Sequence, residues 1–278
     1  MSLIEAAIRK AKRLAATAPA DAPAVEAPVT RRPQREKVRP PTAYVQPGRS
    51  FRPTVVDPMA MERSGVMLQV GDAGTERSYK ILRTRVQQRL EEAHWHSIAV
   101  TGAAPGDGKT ITAINLAVAL ARDVNTWVFL VDLDLQQPQM AAYLGMKFDK
   151  GLSDYLAGQA AFEDVIYEPA GIERLAVVPN GKPLEQSSEL LGSPRMFEFC
   201  QALANEQPRR IVVFDMPPVL LSDDVLRFLP NVDGLLFVVA EGKTPRAAVE
   251  HAREVLPDDK LLGVVLNRSA ERQESGYY

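Results

Sequence analysis

The stretch Ser97-Ile98-Ala99-Val100-Thr101-Gly102-Ala103-Ala104-Pro105-Gly106-Asp107-Gly108-Lys109-Thr110 decides the fold. Ser97–Thr101 is a short apolar run that reads as a buried strand, and Thr110–Ala121 reads as an almost wholly apolar helix. A glycine loop between a strand and a helix, ending Gly-Lys-Thr, is the setting of a phosphate-binding P-loop. Gly106 and Gly108 let backbone N–H groups turn inward with no Cβ in the way. The helix that follows aims its N-terminal dipole at the same place. Lys109 is placed to reach the β- and γ-phosphates, and the Thr110 hydroxyl to hold Mg²⁺. The nucleotide-binding candidates are therefore Ala104, Pro105, Gly106, Asp107, Gly108, Lys109, Thr110 and, in the first helical turn, Ile111. The motif's first glycine is replaced by Ala103, with Gly102 just before it.

Two more strand ends carry acids. Val128-Phe129-Leu130-Val131-Asp132-Leu133-Asp134 places two carboxylates on the residues leaving an apolar run. Ile211-Val212-Val213-Phe214-Asp215-Met216-Pro217-Pro218 places a third. In a parallel sheet, ligands sit beyond the carboxyl ends of the strands, where the phosphate loop also lies. One such Asp alone would cap a strand end. Three beside a P-loop suit Mg²⁺ coordination and activation of an attacking hydroxyl. Lys109, Asp132, Asp134 and Asp215 are the catalytic candidates, and Thr110, Asp132 and Asp215 the metal candidates.

Outward from these motifs, strands alternate with helices. A helix over about 76–92 precedes the first strand, and further strands are expected at Trp127–Asp132, Leu175–Val178, Arg210–Asp215, Gly234–Ala240 and Leu261–Asn267. Helical pieces are expected at 151–157, 162–167, Pro194–Ala204, 223–228 and 245–255. Continuous Val/Ile/Leu/Phe strands separated by helices mean an α/β fold, a mostly parallel sheet with helices on both faces.

Composition agrees with a globular body: 46% of the 278 residues are hydrophobic and 24% charged. No stretch approaches the ~18 consecutive apolar residues that span a bilayer, and the N-terminus lacks the apolar core of a secretory signal. A single Cys200 excludes an internal disulfide and, with His94, His96 and His251, offers no zinc spacing. These features point to the cytosol.

The net charge of −2 hides an asymmetry. Up to Pro58 there are eleven Lys/Arg against five Asp/Glu, or +6, which leaves −8 on the remainder. Residues 1–17 read as a short basic amphipathic helix, with Leu3, Ile4, Ile8 and Leu14 on one stripe, suited to a partner or an anionic lipid surface. A solvated tail accounts for the same charges. Residues 18–60, punctuated by prolines and poor in bulky apolar side chains, read as a disordered, semi-extended linker. The folded domain is then expected over 61–268, followed by a tail, 269–278, ending in Tyr277 and Tyr278.

The Pro105-Gly106-Asp107 loop, Asp132-x-Asp134 and Asp215-Met216-Pro217-Pro218 resemble the Walker A, A′ and B motifs of the bacterial tyrosine kinases of capsule and exopolysaccharide biosynthesis. Gly151–Leu156, Gly192–Met196 and Leu262–Asn267 extend the resemblance from about Thr75 to the C-terminus. It is closest to the type without its own membrane spans. The resemblance implies an ATP- and Mg²⁺-dependent autokinase that modifies a C-terminal tyrosine cluster, here Tyr277 and Tyr278, usually in trans between copies in a homo-oligomer. It implies a membrane-bound polysaccharide chain-length regulator as partner, a peripheral place at the inner face of the membrane, and Asn267 near the adenine. No nucleic-acid partner is expected. The chain departs from the family at Gln136 and Gln137, where arginines usually precede the proline. It departs again in the Glu-x-x-Arg-x-x-Arg helix, where Arg77 stands at the acid position, Glu76 one residue early, and Lys80 and Arg83 at the basic ones. Two other readings stay open: a non-catalytic nucleotide-binding adaptor of an export complex, and a partition-type ATPase switch. The second usually carries an early P-loop lysine, where this chain has Ala104.

Overall fold

The computed structural model describes residues 51–67, 73–204 and 209–269. Its strands are β1 (Arg52–Thr54), β2 (Ser97–Gly102), β3 (Trp127–Asp132), β4 (Tyr167–Pro169), β5 (Leu175–Val178), β6 (Arg210–Asp215), β7 (Gly234–Ala240) and β8 (Leu261–Asn267). They form one eight-stranded sheet in the order β1-β4-β5-β3-β6-β2-β7-β8. Every neighbouring pair is parallel except β4 with β5.

The period-two alternation of each strand divides the core between the two faces. Ile98 and Val100 of β2, Val128 and Leu130 of β3 and Ile211 and Val213 of β6 pack with the Lys109–Ala121 and Ala73–Ala93 helices. Ala99, Phe129, Val131, Val212 and Phe214 turn the other way, toward the Pro194–Ala204, Asp224–Phe228 and Arg246–Val255 helices. Burial on both faces is why these strands carry no polar alternation. The Lys109–Ala121 helix is buried along almost its whole length, which accounts for its run of Ala, Ile, Leu and Val.

The start of the folded body lies earlier than residue 61. Phe51 is buried and meets Phe129 edge-on at 5.7 Å between ring centroids, and β1 pairs with β4 from Arg52 to Thr54. Pro58 then opens the helix Pro58–Ser64. Asp57 caps it by accepting the Met59 N–H at 2.9 Å, and Gly65 ends it at φ +78°. Proline in a first helical turn costs nothing, because its missing N–H has no partner there. The expectation that 18–60 is all linker is thus corrected from Phe51 onward. The expected amphipathic helix 1–17, the linker before Phe51 and the tail from 270 lie outside the described residues.

The expected helical piece at 162–167 is a 3-10 turn, Phe162–Val165, and Tyr167 belongs instead to β4. Among the described residues, no helix is long and apolar enough to cross a membrane.

Candidate active site

The carboxyl ends of β2, β3 and β6 come together because the strands are adjacent, parallel and in register. Val100 stands opposite Asp215, and Asp132 opposite Asp215 from the other side. The phosphate loop leaves β2 at this level. Gly106 (φ +79°) and Gly108 (φ +90°) hold left-handed conformations that side chains rarely adopt. Ala103 is buried and is not among the residues of positive φ, so the departure from glycine there is accommodated without strain. The close approach falls on Gly102 instead, where a Cβ would lie 2.7 Å from the Val238 carbonyl oxygen.

Asp107 is turned back into the loop. It is fully buried, and its Oδ2 accepts the Ala104 N–H at 2.8 Å while its Oδ1 accepts the Thr244 hydroxyl at 2.7 Å. Asp107 therefore staples the loop to itself and to the turn after β7. Asn267, leaving β8, donates from Nδ2 to the Asp107 carbonyl at 2.9 Å and lies against Gly108. Pro105 and Gly106 are exposed at the loop's apex, whereas Ile111 packs inward among the apolar residues behind it.

Lys109 is buried, and its Nζ folds back to the Ala104 carbonyl at 3.3 Å. Burial lowers its pKa, and the charges of Asp215, Asp107 and Asp134 oppose that shift. Asp132 is buried too, and accepts N–H groups of Asp134 at 3.2 Å and Met140 at 3.3 Å. Burial, and then the like charges of Asp215 and Asp134, raise its pKa well above the usual carboxylate range. Burial likewise pushes Asp215 up to about 7, against the pull of the nearby Thr110 hydroxyl and Lys109. Asp134 is half-buried at the mouth, with Oδ1 accepting the Gln137 N–H at 3.0 Å. Burial raises its pKa as well.

Like charges packed this densely call for a cation. Asp215 Oδ1 is buried without a hydrogen-bond partner among the described residues, an orphaned lone pair at the foot of the phosphate loop. No group of three or more His, Cys, Asp or Glu with metal-holding geometry occurs among the described residues. Mg²⁺ takes one or two protein ligands and completes its shell from phosphates and water. Thr110 and Asp215 fit such an ion directly, and Asp132 stands beside them.

The sequence reading missed a second polar chain. Gln136 Nε2 donates to Ser187 Oγ at 2.9 Å, and the Ser187 hydroxyl donates to buried Asp224 Oδ1 at 2.8 Å. The loop that carries Asp134 is thereby tied to the Ser187–Leu191 and Asp224–Phe228 helices. These residues are 51 and 37 positions apart, so no local pattern announces them. Gln136, at a family arginine position, is thus a linker in this network. On the Ala73–Ala93 helix, Glu76 pairs within the chain with Lys80 at 2.8 Å and Arg122 at 3.3 Å. Arg83 donates to the Ala119 carbonyl at 3.4 Å. Tyr277 and Tyr278 lie outside the described residues.

The profile of the CobQ/CobB/MinD/ParA nucleotide-binding domain matches residues 98–277. The tyrosine-protein kinase YwqD of Bacillus subtilis is 30% identical over 227 residues, covering 78% of this chain and 92% of that protein. The chain belongs to the bacterial tyrosine-kinase family. The kinase domain of the Escherichia coli tyrosine kinase ETK superposes on it with a TM-score of 0.62 and 26% identity, over 73% of this chain and 80% of that one. The succinoglycan biosynthesis transport protein ExoP of Rhizobium meliloti is 31% identical over 81% of this chain, which spans 29% of that longer protein. A bacterial tyrosine kinase on a nucleotide-binding P-loop fold is thus what the expected motifs, strands and sheet describe.

Proposed function

We propose that this bacterial tyrosine kinase is an ATP- and Mg²⁺-dependent autokinase of exopolysaccharide biosynthesis that phosphorylates Tyr277 and Tyr278 of a second copy. The observation that carries the reading is the register pairing of Asp132 with Asp215 beside the buried Lys109. Bound ATP with Mg²⁺ supplies the phosphoryl group. Lys109 would leave the Ala104 carbonyl to meet the phosphates, and backbone N–H groups of the 106–108 loop would hold the same oxygens. Thr110 and Asp215 would hold the ion, with Asp132 acting through water. Asp134, at the mouth, accepts the proton of the incoming tyrosine hydroxyl, whose ordinary pKa of ~10 makes it a weak nucleophile at neutral pH.

The names of YwqD and ETK support tyrosine phosphorylation, and that of ExoP supports a role in polysaccharide biosynthesis and transport. A membrane-bound chain-length regulator as partner, placing the kinase at the inner face of the membrane, completes the proposal. The test is phosphotyrosine mapping by mass spectrometry after incubation of the full chain with ATP and Mg²⁺. Signal on the terminal tyrosines that is lost in Lys109→Met is expected. Bound ATP with no phosphotyrosine, with or without the membrane partner, would favour a nucleotide-dependent adaptor.

A further inference from the structure

The turn Ala240–Thr244, between β7 and the Arg246–Val255 helix, is built to hold one side chain over the phosphate loop. The N–H groups of Lys243 and Thr244 both donate to the Ala240 carbonyl, at 3.2 and 3.0 Å, and Gly242 turns the chain at φ +67°. Thr244 accepts the Ala240 N–H at 2.8 Å and donates its hydroxyl to Asp107 at 2.7 Å. The Glu241 N–H donates to the Asn267 carbonyl at 2.9 Å. The turn is therefore fastened to the P-loop and to β8, while Lys243 itself remains exposed.

Its Nζ reaches the Gly106 carbonyl at 3.4 Å, so close to the loop's apex that a Cβ on Gly106 would lie 2.2 Å from it. No acidic side chain among the described residues forms an ion pair with it. A fixed turn that holds an ammonium group at the apex of the phosphate loop suits a polyanion placed against both.

We propose that Lys243 is a second cation of the nucleotide site, leaving the Gly106 carbonyl to contact the polyphosphate of bound ADP or ATP from the turn after β7. This rests on the P-loop being the ATP site. Exposure leaves the long side chain free to make that short movement. The anchored backbone keeps the entropy lost on binding confined to the side chain.

The test is the affinity of the full chain for ATP and ADP with Mg²⁺, measured by calorimetry on the wild type, Lys243→Met, Lys243→Arg and Lys109→Met. Lys243→Met should weaken at least ATP about ten-fold, the scale of a lost charge-assisted hydrogen bond. Lys243→Arg should retain most of the affinity, and the melting temperature without nucleotide should stay unchanged. Wild-type affinity in Lys243→Met would overturn the inference alone. Equal losses in the Met and Arg variants, or a loss matched by a fall in nucleotide-free stability, would show a structural brace and overturn it as well. Wild-type protein that binds neither nucleotide would overturn the P-loop reading together with it.

Discussion

Asp132 and Asp215 are register partners on the parallel strands β3 and β6, both buried, at the level where the phosphate loop begins. Two carboxyl groups so placed weaken the fold when both are charged, and a bound Mg²⁺ would supply compensating positive charge.

The first prediction follows from Asp215, pushed up to about 7 by burial. Its folded value lies above its unfolded one, so the folded state holds the proton more tightly. Stability without nucleotide should rise as pH falls through 7 and level off once the unfolded carboxyl also protonates, near ~4. Asp215→Asn should stabilise the nucleotide-free protein at pH 8, on the order of 1–3 kcal/mol, or ~2–4 °C per kcal/mol at this size. The same variant should lose most Mg²⁺-dependent nucleotide affinity. Differential scanning at pH 6 and pH 8 checks the first part. A variant no more stable than wild type at pH 8 would refute it.

The second concerns Thr244, whose hydroxyl reaches Asp107 across 137 residues. Thr244→Val keeps the shape and removes the donor, leaving a buried carboxyl short of a partner at a cost of about 1–3 kcal/mol. Nucleotide affinity should fall with it, because Asp107 also holds the Ala104 N–H. Thr244→Ser should restore both. Denaturant midpoints and ATP affinity compared across the three proteins decide the matter.

The third applies to the Gln136–Ser187–Asp224 chain. Ser187→Ala should destabilise the protein by about 1–3 kcal/mol, since Asp224 is buried and loses a donor. Gln136→Ala removes an exposed end of the same chain and should cost less. Urea unfolding of the two variants gives the comparison, and the reverse order would contradict this account.

Central strands were legible because burial on both faces writes them as unbroken apolar runs. β3, β5, β6 and β7 have the boundaries that those runs predict, as does the partly exposed edge strand β8, and the phosphate loop was legible from Gly106, Gly108, Lys109 and Thr110. The β1 edge was not. Pro53 sits in three-residue β1, and Pro58 opens a helix, so both read as linker, although an edge strand and a first helical turn are the places that tolerate proline. Nor did local pattern reveal the contacts of Thr244, Lys243, Ser187 or Asp224, whose partners are distant in sequence.

That edge gives the fourth prediction. Deleting residues 1–50 should leave the melting temperature of the nucleotide-binding body within a few degrees of the full chain. Deleting 1–58 also removes Phe51, β1 and the Asp57 cap, and Phe51→Ala alone should cost about 3–5 kcal/mol, as for a large core aromatic. Thermal denaturation of both truncations separates them. Equal stability would mean that the contacts of Phe51 and β1 contribute little.

The last prediction tests transfer in trans. A chain with Tyr277→Phe and Tyr278→Phe should keep ATP binding, since the P-loop, Asp132, Asp134 and Asp215 are unchanged, yet lose most of its phosphotyrosine. Lys109→Met should keep its tyrosines and lose transfer, because nothing replaces the ammonium at the phosphates. Neither protein should label alone. Mixed together they should restore labelling, carried only by the Lys109→Met chain, as transfer between copies requires. Mass spectrometry that finds phosphate chiefly on Tyr79, Tyr155 or Tyr167 would remove the tail from the mechanism. Burial speaks against that outcome: Tyr155 and Tyr167 are buried, and desolvation raises the pKa of Tyr79 and Tyr155. A hydroxyl made harder to ionise inside its own fold is a poorer acceptor than one on a terminal segment.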